Sequence, residues 1–224
     1  MTALPDGILF DSDGVIVDSE RYSLAAFQET CESLGHMNLS DEDVMLNCGL
    51  TDPDILIYME RKYGAKMNLE IFSRDKSRRY FDLVSAGGLE VFDGVKELLE
   101  ELRKARVGFA LASSGSREKI AFNLRAVGMQ EAFPVVVSGE DVRSGKPAPD
   151  LFLEAASRLG ARPERCVVIE DSINGLRAAW AAGMAAVGVT NTFPAETLRA
   201  EADLLIASMR EVNLEMLEKL ISKI

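Results

Sequence analysis

Four short stretches hold the residues best suited to chemistry: Asp11 with Asp13, Ser113 with Ser114, Lys146 between Gly145 and Pro147, and the adjacent pair Glu170 and Asp171. Together they offer an anionic oxygen nucleophile, a hydroxyl and an ammonium suited to phosphate oxygens, and acidic oxygens suited to a hard cation such as Mg²⁺. That combination fits phosphoryl transfer, in which positioning and charge stabilisation do most of the work. The chain has a single histidine, His36, which is too little imidazole for a Cys/His zinc cluster, a multi-histidine metal site or a triad with a separate metal-ligating histidine. Carboxylates and lysine must therefore carry proton and nucleophile work.

Three of the four stretches directly follow apolar runs: Gly7 to Phe10, Val107 to Ala112 and Cys166 to Ile169. Each reads as a buried strand, and Val135 to Val137 before Ser138 has the same form. Helical periodicity separates them, at Val95 to Lys104, Glu118 to Val127, Pro149 to Leu159 and Asn174 to Ala182. Further strands are expected at Ala185 to Val189 and Leu204 to Ala207, before a helix from Val212 to Ile221. Strands alternating with helices at this spacing predict an α/β fold, a doubly wound parallel sheet with Rossmann-like topology. In such sheets ligands bind beyond the carboxyl ends of the strands, where these polar residues stand.

The stretch from Asp18 to Gly88 differs. It shows helical periodicity at Tyr22 to Leu34, Ile55 to Tyr63 and Leu69 to Val84, with no convincing strand, and reads as an all-helical insert. The expected division is 1–17 with 89–224 as the α/β core and 18–88 as the α-helical insert, the paired Gly87 and Gly88 loosening its exit. The alanine-rich run from Ala178 to Ala186 reads as tight helix packing.

The run from Phe10 to Glu20 resembles the first motif of the haloacid dehalogenase-like hydrolase superfamily, in the subgroup with a small helical cap inserted just after that motif. The resemblance continues through Leu111 to Ser114, Gly145 to Asp150, and Ile169 to Ser172 with Gly175 and Ala182 to Met184, and so covers essentially the whole chain. It implies that Asp11 attacks phosphorus to form an aspartyl-phosphate and also binds Mg²⁺. Asp13 is implied as the acid that protonates the leaving oxygen and then as the base that activates water. Its backbone carbonyl is implied as a metal ligand, and its carboxyl is expected to have a pKa raised toward neutrality. Asp171 is the implied direct ligand, with Glu170 a ligand or a partner holding waters. Ser113, the amides around Ser114 and Lys146 are implied to bind the transferring group, while Asn174 either braces the metal loop or begins a helix. An alkoxide needs a proton to leave and a halide does not, so Asp13 favours phosphate esters over haloalkanoates.

Within the cap, the loop Gly49 to Asp54 is the expected specificity element. The β-phosphoglucomutases resemble this chain, but they align an arginine for the second phosphate of a sugar bisphosphate where Asp52 stands. Lys76, Arg78 and Arg79 could supply charge from another direction, although such residues commonly form a solvated helix face. The expected activity is a Mg²⁺-dependent phosphatase acting on a sugar phosphate or sugar-acid phosphate. A phosphosugar mutase, a phosphoglycolate phosphatase and an idle binding or regulatory protein on the same fold are the alternatives.

Lys and Arg number 25 against 36 Asp and Glu, a formal charge of −11, with no long basic run. Nucleic acid and anionic membranes are therefore unexpected partners. Three widely spaced cysteines, Cys31, Cys48 and Cys166, suit free thiols in a reducing compartment. No basic segment followed by an apolar run succeeds Met1, and no apolar run approaches the ~20 residues of a membrane span. A cytoplasmic enzyme is expected, as a monomer or weak homodimer, with His36 at the cap surface.

Overall fold

The computed structural model describes residues 4–35 and 37–222, so His36 lies outside the described residues. Six parallel strands form one sheet: β1 (Gly7–Phe10), β2 (Gly108–Ala112), β3 (Val135–Val137), β4 (Cys166–Glu170), β5 (Ala185–Val189) and β6 (Leu204–Ile206). Their order is β3-β2-β1-β4-β5-β6, so the chain reverses its direction of winding beside β1. That reversal opens a crevice at the carboxyl ends of β1, β2 and β4. Successive residues of β1 point to opposite faces, Ile8 and Phe10 into one apolar layer and Leu9 into the other.

Helices cover both faces, which explains why the strands read as continuous apolar runs. On the Phe10 side α5 (Val95–Ala105), α6 (Arg117–Ala126) and α10 (Leu214–Ile221) contribute Leu98, Leu99, Leu102, Ile120, Leu124 and Leu217. On the Leu9 side α7 (Asp150–Leu159) and α8 (Ile173–Ala181) contribute Leu151, Phe152, Ala155, Leu176 and Ala179. The alanine-rich run divides here: α8 ends at Ala181, Gly183 turns the chain, and Ala185 and Ala186 belong to β5. Ala182 caps the helix and Gly183 adopts φ +71°, so the run is helix, turn and strand instead of helix packing alone.

Between β1 and β2 lie α1 (Glu20–Gly35), α2 (Asp41–Leu46), α3 (Asp52–Tyr63) and α4 (Leu69–Gly87). They surround their own apolar cluster of Phe27, Cys31, Val44, Ile55, Met59 and Phe72. The two connections to the sheet domain are stitched together, Asp18 N–H donating to Glu90 at 2.9 Å and Phe92 N–H to Ile16 at 3.0 Å. Helix α2 was not expected from periodicity, because six residues hold too little of a pattern to register. Ser40 caps it, and the buried Asp43 fixes it against α3 by accepting from Tyr58, Lys62 and Tyr63. A short α9 (Ala195–Leu198) completes the α-helices among the described residues.

Candidate active site

Asp11 is the first residue beyond β1, and its N–H still donates to Ile169 of β4 at 3.0 Å. The ladder thus fixes its backbone while the side chain enters the crevice. Lys146 reaches it from the loop before α7 and is fully buried, its Nζ held between Asp11 Oδ1 and Glu170 Oε1, the latter at 2.5 Å. A lysine is this deeply buried only when paired, and here two carboxylates share it. The Phe152 ring lies 5.0 Å from the ammonium and completes its enclosure.

Glu170 is also wholly buried, and its second oxygen accepts from the Asp171 amide at 2.8 Å, the Ser172 amide at 2.7 Å and the Ser172 hydroxyl at 2.9 Å. It acts as the anchor of its loop as well as the partner of Lys146. Asp171 accepts from the Thr192 hydroxyl. One carboxylate oxygen from each of Asp11, Glu170 and Asp171 lies within 4.8 Å of the others, and all three residues are buried. Burial raises the Asp11 carboxyl above the ordinary carboxylate range, with Lys146 opposing and Glu170 adding to the rise. Burial likewise raises Asp171, reinforced by Glu170 and Glu20. Negative charge therefore exceeds what Lys146 can balance, and an all-oxygen donor set of this kind suits a hard divalent cation.

Two glycines make room for this arrangement. A Cβ on Gly14, where φ is +76°, would lie 1.8 Å from Asp171 Oδ2. One on Gly175 would lie 1.7 Å from Glu170 Oε1, so α8 can approach the loop only without a side chain there.

Asp13 departs from expectation. Its Oδ1 accepts from the Ser19 hydroxyl and from Asn123 Nδ2 at 3.3 Å, and its Oδ2 accepts from Lys119 Nζ at 2.8 Å. Burial acts to raise its pKa, but the Lys119 charge and these hydrogen bonds outweigh burial and hold the carboxyl below its ordinary value. The expected elevation toward neutrality is therefore not present in this arrangement. Lys119 carries no motif signature and was missed; its only sequence signal is a cation one helical turn after the Ser116 cap of α6.

Asp11, Asp13, Ser113, Ser114, Lys119 and Asp171 line one cleft of about 390 Å³ whose other wall is the helical insert, including Glu20, Thr51, Asp52, Ser73 and Lys76. Ser113 is buried at the end of β2, and its hydroxyl accepts from Gly115 N–H at 3.2 Å. The Ser114 hydroxyl instead donates to Gly49 O at 2.6 Å, clasping the insert. Asn174 does likewise, its Nδ2 donating to Cys48 O at 2.9 Å and Leu46 O at 3.3 Å. Asp52 and Lys76 form an ion pair within the cleft wall, and Lys76 holds the Asp52 carboxyl below its ordinary value against the effect of burial. Arg78 and Arg79 pair with Asp75, and Arg79 also with Glu29, which makes them the braced outer face of α4.

A doubly wound sheet whose strand ends gather these carboxylates, hydroxyls and lysine beneath a helical insert defines a Rossmann-like hydrolase of phosphate esters. Residues 8–189 match the haloacid dehalogenase-like hydrolase family. The chain belongs to that family and is a phosphoric monoester hydrolase. It is 33% identical over 220 residues to a β-phosphoglucomutase of Bacillus subtilis, covering 95% of this chain and 93% of that protein. It is 31% identical over 183 residues to a phosphorylated carbohydrates phosphatase of Thermotoga maritima, covering 80% and 82%. Among solved structures, a hydrolase from Pseudomonas syringae superposes with a TM-score of 0.87 at 27% identity, covering 96% of this chain and 98% of that one. Protein CbbY of Rhodobacter sphaeroides, solved with phosphate, gives a TM-score of 0.82 at 28% identity over 97% and 100% of the chains. No helix among the described residues is long and apolar enough to cross a membrane.

Proposed function

We propose that the chain is a Mg²⁺-dependent phosphatase that hydrolyses a sugar phosphate or sugar-acid phosphate through an aspartyl-phosphate intermediate, with 18–88 as the cap over a core of 1–17 and 89–224. The observation that carries this reading is the meeting of Asp11 and buried Lys146 on the floor of a cleft that Asp13, Ser113 and Asp171 also line.

In this reading Asp11 Oδ attacks phosphorus as the bond to the alcohol oxygen breaks, and Asp13, which Lys119 keeps ionised in this arrangement and which must take up a proton as the phosphate ester binds, passes that proton to the leaving oxygen. Lys146 orients the nucleophile, and Ser113 with the amides of the Ser114 loop holds the phosphoryl oxygens. Water then attacks the aspartyl-phosphate, gives its proton to Asp13 and frees Asp11. Asp11, Asp171 and the Asp13 carbonyl, with Glu170 beside them, would hold Mg²⁺, which when bound supplies positive charge against the phosphate oxygens. The insert excludes water and frames the substrate.

The cap wall bears on substrate. Glu20, Asp52, Ser23, Ser73 and Ser77 line it, and the charge of Lys76 is taken up by Asp52. Such a wall suits hydroxyl groups better than a second phosphate, which supports a monophosphate substrate over a mutase bisphosphate. All three cysteines are free and buried, which supports a reducing, cytoplasmic setting.

Incubation with Mg²⁺ and p-nitrophenyl phosphate, then with a phosphosugar panel, tests the reading by release of inorganic phosphate. Release by the wild type and its loss in Asp11→Asn are expected. Interconversion of a sugar 1-phosphate and 6-phosphate without net phosphate release would overturn it in favour of a mutase.

A further inference from the structure

Helix α6 supplies most of the environment of Asp13. Lys119 and Asn123 stand four residues apart and so share one face of the helix. Lys119 Nζ donates to Asp13 Oδ2 at 2.8 Å and to Ser23 Oγ on α1 at 2.9 Å, and it lies 4.5 Å from the centroid of the Tyr80 ring on α4. Asn123 Nδ2 donates to Asp13 Oδ1 at 3.3 Å, while Asn123 Oδ1 accepts from the Tyr80 hydroxyl at 2.7 Å. Each α6 residue that holds Asp13 therefore also holds the helical insert. The side chains of Lys119 and Asp13 are only 19% and 15% exposed, so water screens this pair weakly. Asn123 and Tyr80 are buried.

We propose that Lys119 is a positioning residue for proton transfer, tying the orientation of Asp13 to the seating of the insert by gripping Asp13, α1 and α4 at once. The inference rests on the aspartyl-phosphate reading. In the first step the bond from phosphorus to the leaving oxygen breaks as the bond to Asp11 forms, and an alkyl leaving group takes the proton of Asp13. p-Nitrophenolate leaves without a proton, so with that substrate only the second step calls on Asp13, when water bonds to phosphorus, yields its proton and displaces Asp11.

The test is stopped-flow turnover of p-nitrophenyl phosphate with Mg²⁺ by Lys119→Met. Release of about one equivalent of nitrophenolate per site, within about threefold of the wild-type first-turnover rate, is expected, followed by a steady state slowed about 10²-fold. Lys119→Arg should restore most of that loss. A steady state equal to wild type would overturn the inference. So would equal slowing of both phases, which would place Lys119 in the attack by Asp11, or a raised KM at unchanged kcat, which would make it a substrate contact. Ser23→Ala removes the Lys119 contact to α1 and Tyr80→Leu removes the ring contact to α4, while both leave Lys119 and Asp13 in place. They should show the same pattern at about three- to tenfold, and wild-type behaviour in both would count against the tether even if Lys119→Met did not fold. Absence of nitrophenolate release by the wild type would instead overturn the phosphatase reading on which the inference stands.

Discussion

Replacing Gly175 by alanine sets two effects of opposite sign against each other. Alanine is favoured over glycine within a helix by about 1 kcal/mol, and Gly175 lies in the first turn of α8. Against this, the new Cβ would lie 1.7 Å from Glu170 Oε1 and 1.9 Å from its Cδ. Glu170 cannot step aside cheaply, because Lys146 holds one oxygen and three donors from Asp171 and Ser172 hold the other. Breaking a buried pair of this kind costs roughly 3–5 kcal/mol. The net expectation is a loss of roughly 2–4 kcal/mol, or a Tm lower by roughly 4–16 °C for a chain of this size. Thermal unfolding by circular dichroism measures the first part. Steady-state turnover of p-nitrophenyl phosphate measures the second, with kcat expected to fall at least about tenfold as Lys146 loses its geometry. A Gly175→Ala protein with unchanged Tm and kcat would refute the claim that Glu170 is locked.

Burial places the Asp11 carboxyl at about 8, so the proton it binds in the folded state contributes stability at low pH that is lost as pH rises from about 4 toward 8. A divalent cation competes with that proton, so the Tm increase caused by Mg²⁺ should grow between pH 5 and pH 8; a shift independent of pH would contradict the assignment of Asp11 to the cation site. Asp52→Asn leaves the Lys76 ammonium without its carboxylate, and inhibition by a hexose 1,6-bisphosphate should tighten about tenfold, or about 1.4 kcal/mol. Unaltered inhibition would show that the pair does not select against a second phosphate. Asn174→Ala removes two hydrogen bonds to the insert, and a stability loss of about 1–3 kcal/mol with a reduced kcat/KM is expected, measured by urea unfolding and turnover.

Strands β1, β2 and β4 were legible because burial on both faces writes an uninterrupted apolar run, and their terminal polar residues marked the crevice. The gathering of Asp11, Lys146 and Asp171 at one place was legible too, since each stands at a fixed place relative to a strand end or a motif. Lys119 was not, because its meaning comes from a contact with Asp13, 106 residues earlier, and with Ser23, 96 residues earlier. Neither separation leaves a local pattern. Asn174 and Ser114 show a related limit: their residue types suit a helix start and a phosphate loop, yet their side chains also clasp the carbonyls of Leu46, Cys48 and Gly49 across the cleft.

The charge of the whole chain and that of its cleft are separate matters, and the second governs the chemistry. A formal charge of −11 would repel an anionic substrate at long range, where salt screens it within about 8 Å at physiological ionic strength. At the floor, Asp11, Asp13, Glu170 and Asp171 meet, among the described residues, two ammonium groups, Lys146 and Lys119, each already shared with a carboxylate. With these four carboxyls ionised, two negative charges remain, the amount that one divalent cation neutralises, and Glu20 on the cleft wall adds a third when it is ionised. Burial meets part of the same excess by raising the carboxyls of Asp11, Asp171 and Glu20 toward their neutral forms. Protons and a divalent cation are thus alternative solutions to one electrostatic excess. Asp13, whose excess Lys119 already answers, is the floor carboxylate whose pKa moves the other way.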